Sequence, residues 1–235
     1  MTVRRLRGMS RILPLKSPVL ALALAGAALL APAPPGAAQP QEPVRAADLL
    51  AGVRDCRPVS KGRYRSDSHT PARIPVCGTH DAVFWTADMD IDCDGRAGPR
   101  CNRGTDPNFQ PTTAFRQSDG RYLSAETLPY VVVPAPSGIW DYRAHGVRGG
   151  SVVAVIHRDR IEYAVVGDTG PKNIIGEASY ATAEALGLDP GPRSGGAADG
   201  VTYIVFRNSK VTPLEDHRQA VAQGEALARA FLRER

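Results

Sequence analysis

Five apolar, β-branched runs, parted by loops rich in Gly, Pro and Asp, constrain this chain more than any other feature. They occupy residues 82–87, 130–134, 151–156, 161–166 and 201–206. Each has the length and the Val, Ile, Tyr and Phe content of a buried strand. The third and fourth lie on either side of Asp159-Arg160 and are expected to pair as a hairpin. No long helix separates any two of the five, so alternating β-α layering is excluded and the chain reads as mainly β. Helices are expected at 46–53, at 179–186 and, at the C-terminus, from a capping box at Thr212, Pro213 and Glu215 to about Arg233. The last would present Val221, Ala228, Phe231 and Leu232 to the sheet. A Gly-rich loop spans 191–200.

The first 38 residues stand apart. Arg4, Arg5, Arg7, Arg11 and Lys16 precede an uncharged Ala/Leu stretch at 17–31, and the segment ends in small residues at Gly36-Ala37-Ala38. That is the pattern of a secretory signal peptide cleaved after Ala38 and too short for a membrane span. An uncleaved anchor is the other reading, opposed by Pro32, Pro34 and Pro35. Five of the 29 basic side chains and none of the 24 acidic ones precede residue 39, so the mature part carries 24 of each and no net charge. Nucleic-acid binding thereby loses its compositional support. After the leader, residues 39–79 read as a tether and a disulfide-held loop, and 80–235 as the main folded domain, expected to act as a secreted, extracellular monomer.

All four cysteines, Cys56, Cys77, Cys93 and Cys101, fall after the leader. In an exported chain an even number reads as two disulfides. Three pairings are open, with Cys56–Cys77 and Cys93–Cys101 favoured by closeness in sequence. Intervals of 20, 15 and 7 residues hold no Cys-x-x-Cys pair, which argues against zinc.

Two acidic motifs carry the chemistry. Asp88, Asp90, Asp92 and Asp94 alternate, so an extended strand sets them on one face, where they need a cation to offset their repulsion. A cationic substrate, a calcium ion and local arginines such as Arg96 and Arg100 are the three candidates. Asp90, Asp92, Asp94 and Gly95 match the first half of an EF-hand loop, but its twelfth position is Cys101. The second motif is Gly167-Asp168-Thr169 with Gly176-Glu177-Ala178-Ser179, two carboxylates beside glycines at strand ends. Such a pair is the equipment of glycoside hydrolysis, one acid donating a proton and one base activating water. Helix and turn capping is the alternative role for both. The five histidines, at 69, 80, 145, 157 and 217, form no His-Glu-x-x-His, and Ser179 lacks the Gly-x-Ser-x-Gly elbow. Trp85, Trp140 and Tyr142 are candidates for stacking on sugars, although Trp85 lies in an apolar run better suited to the core.

Together these elements resemble the fungal-type chitosanase family of glycoside hydrolases. The likeness rests on residues 87–95, then Cys101, Thr105-Asp106 and 130–134, then the Gly-Asp-Thr and Gly-Glu-Ala-Ser motifs, in that order across about residues 80–206. The chain departs from the family pattern in having Gly170-Pro171 after Gly-Asp-Thr and a shorter interval before Gly-Glu. The resemblance implies an inverting endo-hydrolase of chitosan or partly deacetylated chitin, with Asp168 and Glu177 as its essential carboxylates and no cofactor. The Asp-Thr-Gly segment is also similar to double-psi β-barrel lytic transglycosylases, which implies a six-stranded double-psi-like barrel with the C-terminal helix packed outside. Glu177 is the expected acid, because Glu titrates higher than Asp and has apolar neighbours in Ile174, Ile175 and Ala178; Asp168 is then the base. Asp88, Asp90, Asp92 and Asp94 would hold protonated amino groups of the substrate. A non-catalytic polysaccharide- or calcium-binding module and a peptidoglycan lytic transglycosylase are the competing functions.

Overall fold

A computed structural model describes residues 42–234, which belong to one compact unit. The leader and its expected cleavage site lie outside the described residues. Seven strands appear: β1 (Cys77–Gly78), β2 (Ala82–Asp92), β3 (Tyr130–Pro134), β4 (Val152–His157), β5 (Arg160–Gly170), β6 (Glu177–Ser179) and β7 (Ala197–Phe206). Three α-helices accompany them: α1 (Ala46–Gly52), α2 (Tyr180–Ala185) and α3 (His217–Arg233). The strands run in the order β1-β2-β6-β3-β5-β4-β7, and β7 returns to pair with β2. Six strands therefore close into a barrel, with β1 outside, and the mainly β, six-stranded reading of the sequence holds. Pairs β2–β6 and β3–β5 are parallel; the other four around the ring are antiparallel. Strand β6 was not among the five runs, because three residues are too few to show a period.

Alternation along the strands builds two hydrophobic layers. Val83, Trp85, Ala87 and Met89 of β2 meet Val131, Val133, Val153, Val155, Tyr203 and Val205 inside the barrel. Trp85 stacks on Tyr203 at 5.3 Å and meets Trp140 edge-on at 6.3 Å. Trp140 and Tyr142 are 3% and 7% exposed, so both are core residues and neither offers a face to a sugar. The alternate set, including Phe84, Ala154, Ile204 and Phe206, forms the outer layer with α1 and α3. Strands β4 and β5 form the expected hairpin, with His157 opposite Arg160 and Arg158 at φ 57° in the two-residue turn.

Helix α3 covers the barrel as expected but starts later. Its cap is Asp216, whose side chain accepts from the backbone N–H of Gln219 at 3.0 Å. The capping box expected at Thr212 does not form, because Glu215 instead accepts from Ser118, 97 residues away. The buried face is Ala220, Gly224, Ala228 and Phe231, with Val221 and Leu232 only partly covered. Cysteines pair as 56–77 and 93–101. The loop enclosed by the first bridge docks onto the segment before β6: Arg65 N–H donates to Asn173 O at 3.0 Å, and Ile175 N–H to Arg65 O at 3.0 Å. No helix among the described residues is long and apolar enough to cross a membrane.

Gly224 sets how closely α3 lies on β5. A Cβ there would fall 2.3 Å from Tyr163 Cδ1 and 2.9 Å from Tyr163 Cβ. Gly224→Ala should lower stability by about 1–2 kcal/mol, overpacking outweighing the roughly 1 kcal/mol gained in helix propensity. A urea midpoint equal to or above that of the parent protein would contradict this packing.

Candidate active site

A register irregularity decides which way the first catalytic candidate faces. Along β3 and β5 the partners are Tyr130 with Val165 and Val131 with Val166, and then Val132 with Asp168. Gly167 is the extra residue of a bulge. Without it, Asp168 would continue the alternation of Val166 and point into the barrel. With it, Asp168 joins Val132 on the outer face. Glu177 of β6 is opposite Val132 on the other edge of β3 and opposite Asp90 of β2. Asp90, Glu177, Val132 and Asp168 thus form one row across four adjacent strands.

This row floors a cleft of about 710 Å³. The cleft gathers Asp90, Asp92, Asp94, Asp168 and Glu177 from the sequence motifs, and adds two carboxylates they did not include, Asp67 and Asp106. Against these seven acids, Arg193 is the one base among the described residues lining it. Asp67 arrives on the loop that pairs with Asn173 and Ile175, and no local pattern in the polar stretch 54–75 marks it. Asp106 could have been found from the Thr105-Asp106 element. It is 6% exposed and caps its own turn by accepting from Asn108 N–H.

Asp88 behaves differently from the other three members of its motif. It lies at the irregularity between Ala87 and Met89 in the β2–β7 ladder and does not line the cleft. Its Oδ1 is buried without a hydrogen-bond partner, against the backbone of Gly176. Gly176 has φ +120°, and a Cβ there would fall 2.2 Å from that oxygen; only glycine meets both conditions. Asp92 and Asp94 each give one oxygen to a backbone N–H, of Asp94 and Gln110 respectively, at 2.6 Å. Among the described residues, the only trio of potential ligand groups close enough to share an ion is His80, Asp81 and Glu234, well away from this motif.

Glu177 is not the cap of α2. Ser179 caps α2, accepting from Thr182 N–H, while Glu177 lies within β6. Asp168, 7% exposed, accepts from Ala114 N–H at 2.7 Å and Thr169 N–H at 2.6 Å.

Residues 89–230 match the family described as fungal chitosanase of glycosyl hydrolase group 75. The chain belongs to this family. An endo-chitosanase of Aspergillus oryzae (strain ATCC 42149 / RIB 40) is 30% identical over 181 residues, covering 67% of this chain and 73% of its own. Endo-chitosanase C of Aspergillus oryzae is 32% identical over 157 residues, 65% of this chain and 38% of its own. An endo-chitosanase of Aspergillus fumigatus is 30% identical over 138 residues, 54% of this chain and 58% of its own. The protein is a glycoside hydrolase, and the non-catalytic binding module drops out. The matched stretch holds every motif carboxylate except Asp88 and leaves out Asp67.

Crowding of acids in a half-buried cleft raises their affinity for protons. Glu177 is pushed up to about 7, first by burial and then by Asp90, Asp94, Asp168 and Asp88. Burial, and then Asp90, raises Asp88 to about 7. Asp94 reaches about 6 through burial and repulsion from Asp168 and Asp106, with the Gln110 N–H pulling the other way. Asp92 is raised well above its ordinary value by burial and then by Asp94 and Asp168. Asp168 is also raised by burial, with the N–H groups of Ala114 and Thr169 pulling it back.

These shifts imply a pH-dependent stability whose sign is fixed by linkage. Between the ordinary carboxylate range and about 7, the folded protein keeps protons on Asp88 and Glu177 that the unfolded chain releases. Stability therefore falls as pH rises through that window. Asp88→Asn removes one such group without touching the cleft wall. It should be more stable than the parent at pH 8 by about 1–2 kcal/mol, after allowance for partial solvent exposure, and equal to it near pH 4. Thermal melts at both pH values check this; a variant no more stable at pH 8 would mean that Asp88 ionises at no cost.

Proposed function

We propose that this chain is an exported endo-chitosanase that hydrolyses β-1,4 links between glucosamine units with inversion at the anomeric carbon. The observation that carries the reading is the row itself: a carboxyl pushed up to about 7 and a second carboxylate held by two backbone N–H groups flank Val132 on opposite edges of one strand. In this reading Glu177 is the general acid and protonates the glycosidic oxygen. Asp168 is the general base and takes a proton from water, whose oxygen bonds to the anomeric carbon from the opposite face. The leaving chain departs with Glu177's proton.

Spacing supports inversion. Two residues aligned across an intervening strand are separated by two strand spacings, roughly 9.5 Å between backbones. At the backbone that leaves room for the wide carboxyl separation of inverting enzymes, roughly 6.5–9.5 Å, with Glu177 leaning towards β5 so that its Oε2 lies 2.6 Å from where a Cβ on Gly170 would sit. Seven carboxylates against one arginine in the cleft favour a polycationic chain although the mature protein has no net charge. The names of the relatives point to the same substrate. Two disulfides and the leader-like N-terminus support export. The two-carboxylate chemistry calls for no cofactor.

Asp168→Asn and Glu177→Gln are nearly isosteric and should each fold. Each removes a proton transfer and should lower kcat on chitosan by about 10²- to 10⁴-fold with little change in KM. For the parent protein, kcat/KM should be bell-shaped in pH, with its basic limb near 7 set by Glu177. Asp90→Asn removes a charge that holds Glu177 protonated, so that limb should move to lower pH. A folded Asp168→Asn or Glu177→Gln with near-parental turnover would refute the pair.

A further inference from the structure

Asp67 differs from the other cleft acids in where it comes from and in how it is held. It precedes the stretch matched to the family, residues 89–230, and lies inside the loop closed by the Cys56–Cys77 bridge. That loop is firmly placed. Tyr64, buried in the barrel interior, exchanges N–H···O bonds with Ile74 at 2.7 and 3.0 Å, and Arg65 pairs with Asn173 and Ile175 on the segment leading to Glu177. The tip is closed by its own bonds. Asp67 N–H donates to Thr70 Oγ1 at 3.0 Å, Thr70 N–H to Asp67 O at 3.2 Å, and the Arg65 guanidinium to Thr70 O. A backbone fixed on both sides of the tip thus sets the Asp67 carboxylate on the cleft wall.

Its charge is kept where that of its neighbours is opposed. Ser68 donates to Asp67 Oδ1 from its hydroxyl at 2.9 Å and from its N–H. These bonds, the hydroxyl first, hold Asp67 below the ordinary carboxylate range, and His69 beside it acts in the same direction. Burial pushes Asp90, Asp92, Asp94, Asp168 and Glu177 the other way. The Asp67 charge reaches Asp88 and Asp90 and adds to their hold on protons, which puts it within range of the Asp90 end of the row. An exposed carboxylate meets an ammonium without a large desolvation cost, whereas a buried acid that keeps its proton has no charge to offer. Resting on the function proposed above, we infer that Asp67 is a specificity-determining residue, the partner of a protonated amino group on the glucosamine chain. The disulfide-closed loop, and not only the Asp motif of β2, then carries the preference for a charged sugar.

Steady-state kinetics on a fully deacetylated glucosamine hexamer at pH 5 and low salt test this. Asp67→Asn keeps an acceptor for Ser68 and should melt at the parent's temperature. It should raise KM by about fivefold, the size of one exposed ion pair, with little change in kcat. Its KM should also respond less to added salt than the parent's. Asp67→Glu restores the charge and should recover most of the loss. Asp55→Asn removes the same charge from a nearby part of the chain that does not line the cleft, and should leave KM unchanged. An Asp67→Asn variant with the parent's KM, an equal rise in Asp55→Asn, or no recovery in Asp67→Glu would overturn the inference while leaving the chitosanase reading intact. No cleavage of any chitosan by the parent protein would overturn both.

Discussion

Strand β2 is hydrogen-bonded along both edges, and the rest of the molecule depends on that. On one edge β7 pairs with it from Ala82 to Met89, closing the barrel. On the other, β1 pairs at Val83 and Phe84 and β6 at Asp90 to Asp92. The same strand therefore seals the core with its first half and aligns Glu177 with its second. The short strand β6, three residues long, is held only because β2 and β3 offer it two rigid neighbours. The row of carboxylates exists because a closed ring fixes the register of every strand in it.

The cost of function is concentrated at the acidic end of β2. Seven carboxylates in one cleft repel one another and resist desolvation, and both effects oppose ionisation. Local devices offset part of this. Backbone N–H groups serve Asp92, Asp94 and Asp168, and the Cys93–Cys101 bridge ties down the segment between Asp92 and Asp106. Asp88 Oδ1 has no such partner and lies behind Gly176, one residue from the proposed acid. A site tuned to keep Glu177 protonated is one that the fold would be more stable without.

The sequence disclosed the barrel because β-branched runs with Gly and Pro loops leave few other solutions. It also disclosed five of the seven cleft acids, since two short motifs carry them. Asp67 was hidden because its place depends on a backbone pairing between Arg65 and the residues before β6, a contact more than a hundred positions apart with no local signature. The orientation of Asp168 was equally hidden: simple alternation along β5 points it inward, and only the bulge at Gly167 turns it out. The start of α3 misled because a sound capping box was outcompeted when Ser118 engaged Glu215. Short-range chemistry was legible, and what it lost to was tertiary contact each time.

The alternation of β2 has a further consequence, for how faithfully the chain can fold. Val83, Trp85, Ala87 and Met89 face inward, while Asp90 and Asp92 on the alternate positions face the cleft. A slip of one residue against either neighbour would carry aspartates into the dry interior and turn a tryptophan out to water. Burying even one unpaired carboxylate in that way costs far more than a misplaced methyl group. The acids proposed to grip the substrate thus act earlier as proofreaders, rejecting misaligned barrels before any ligand is met.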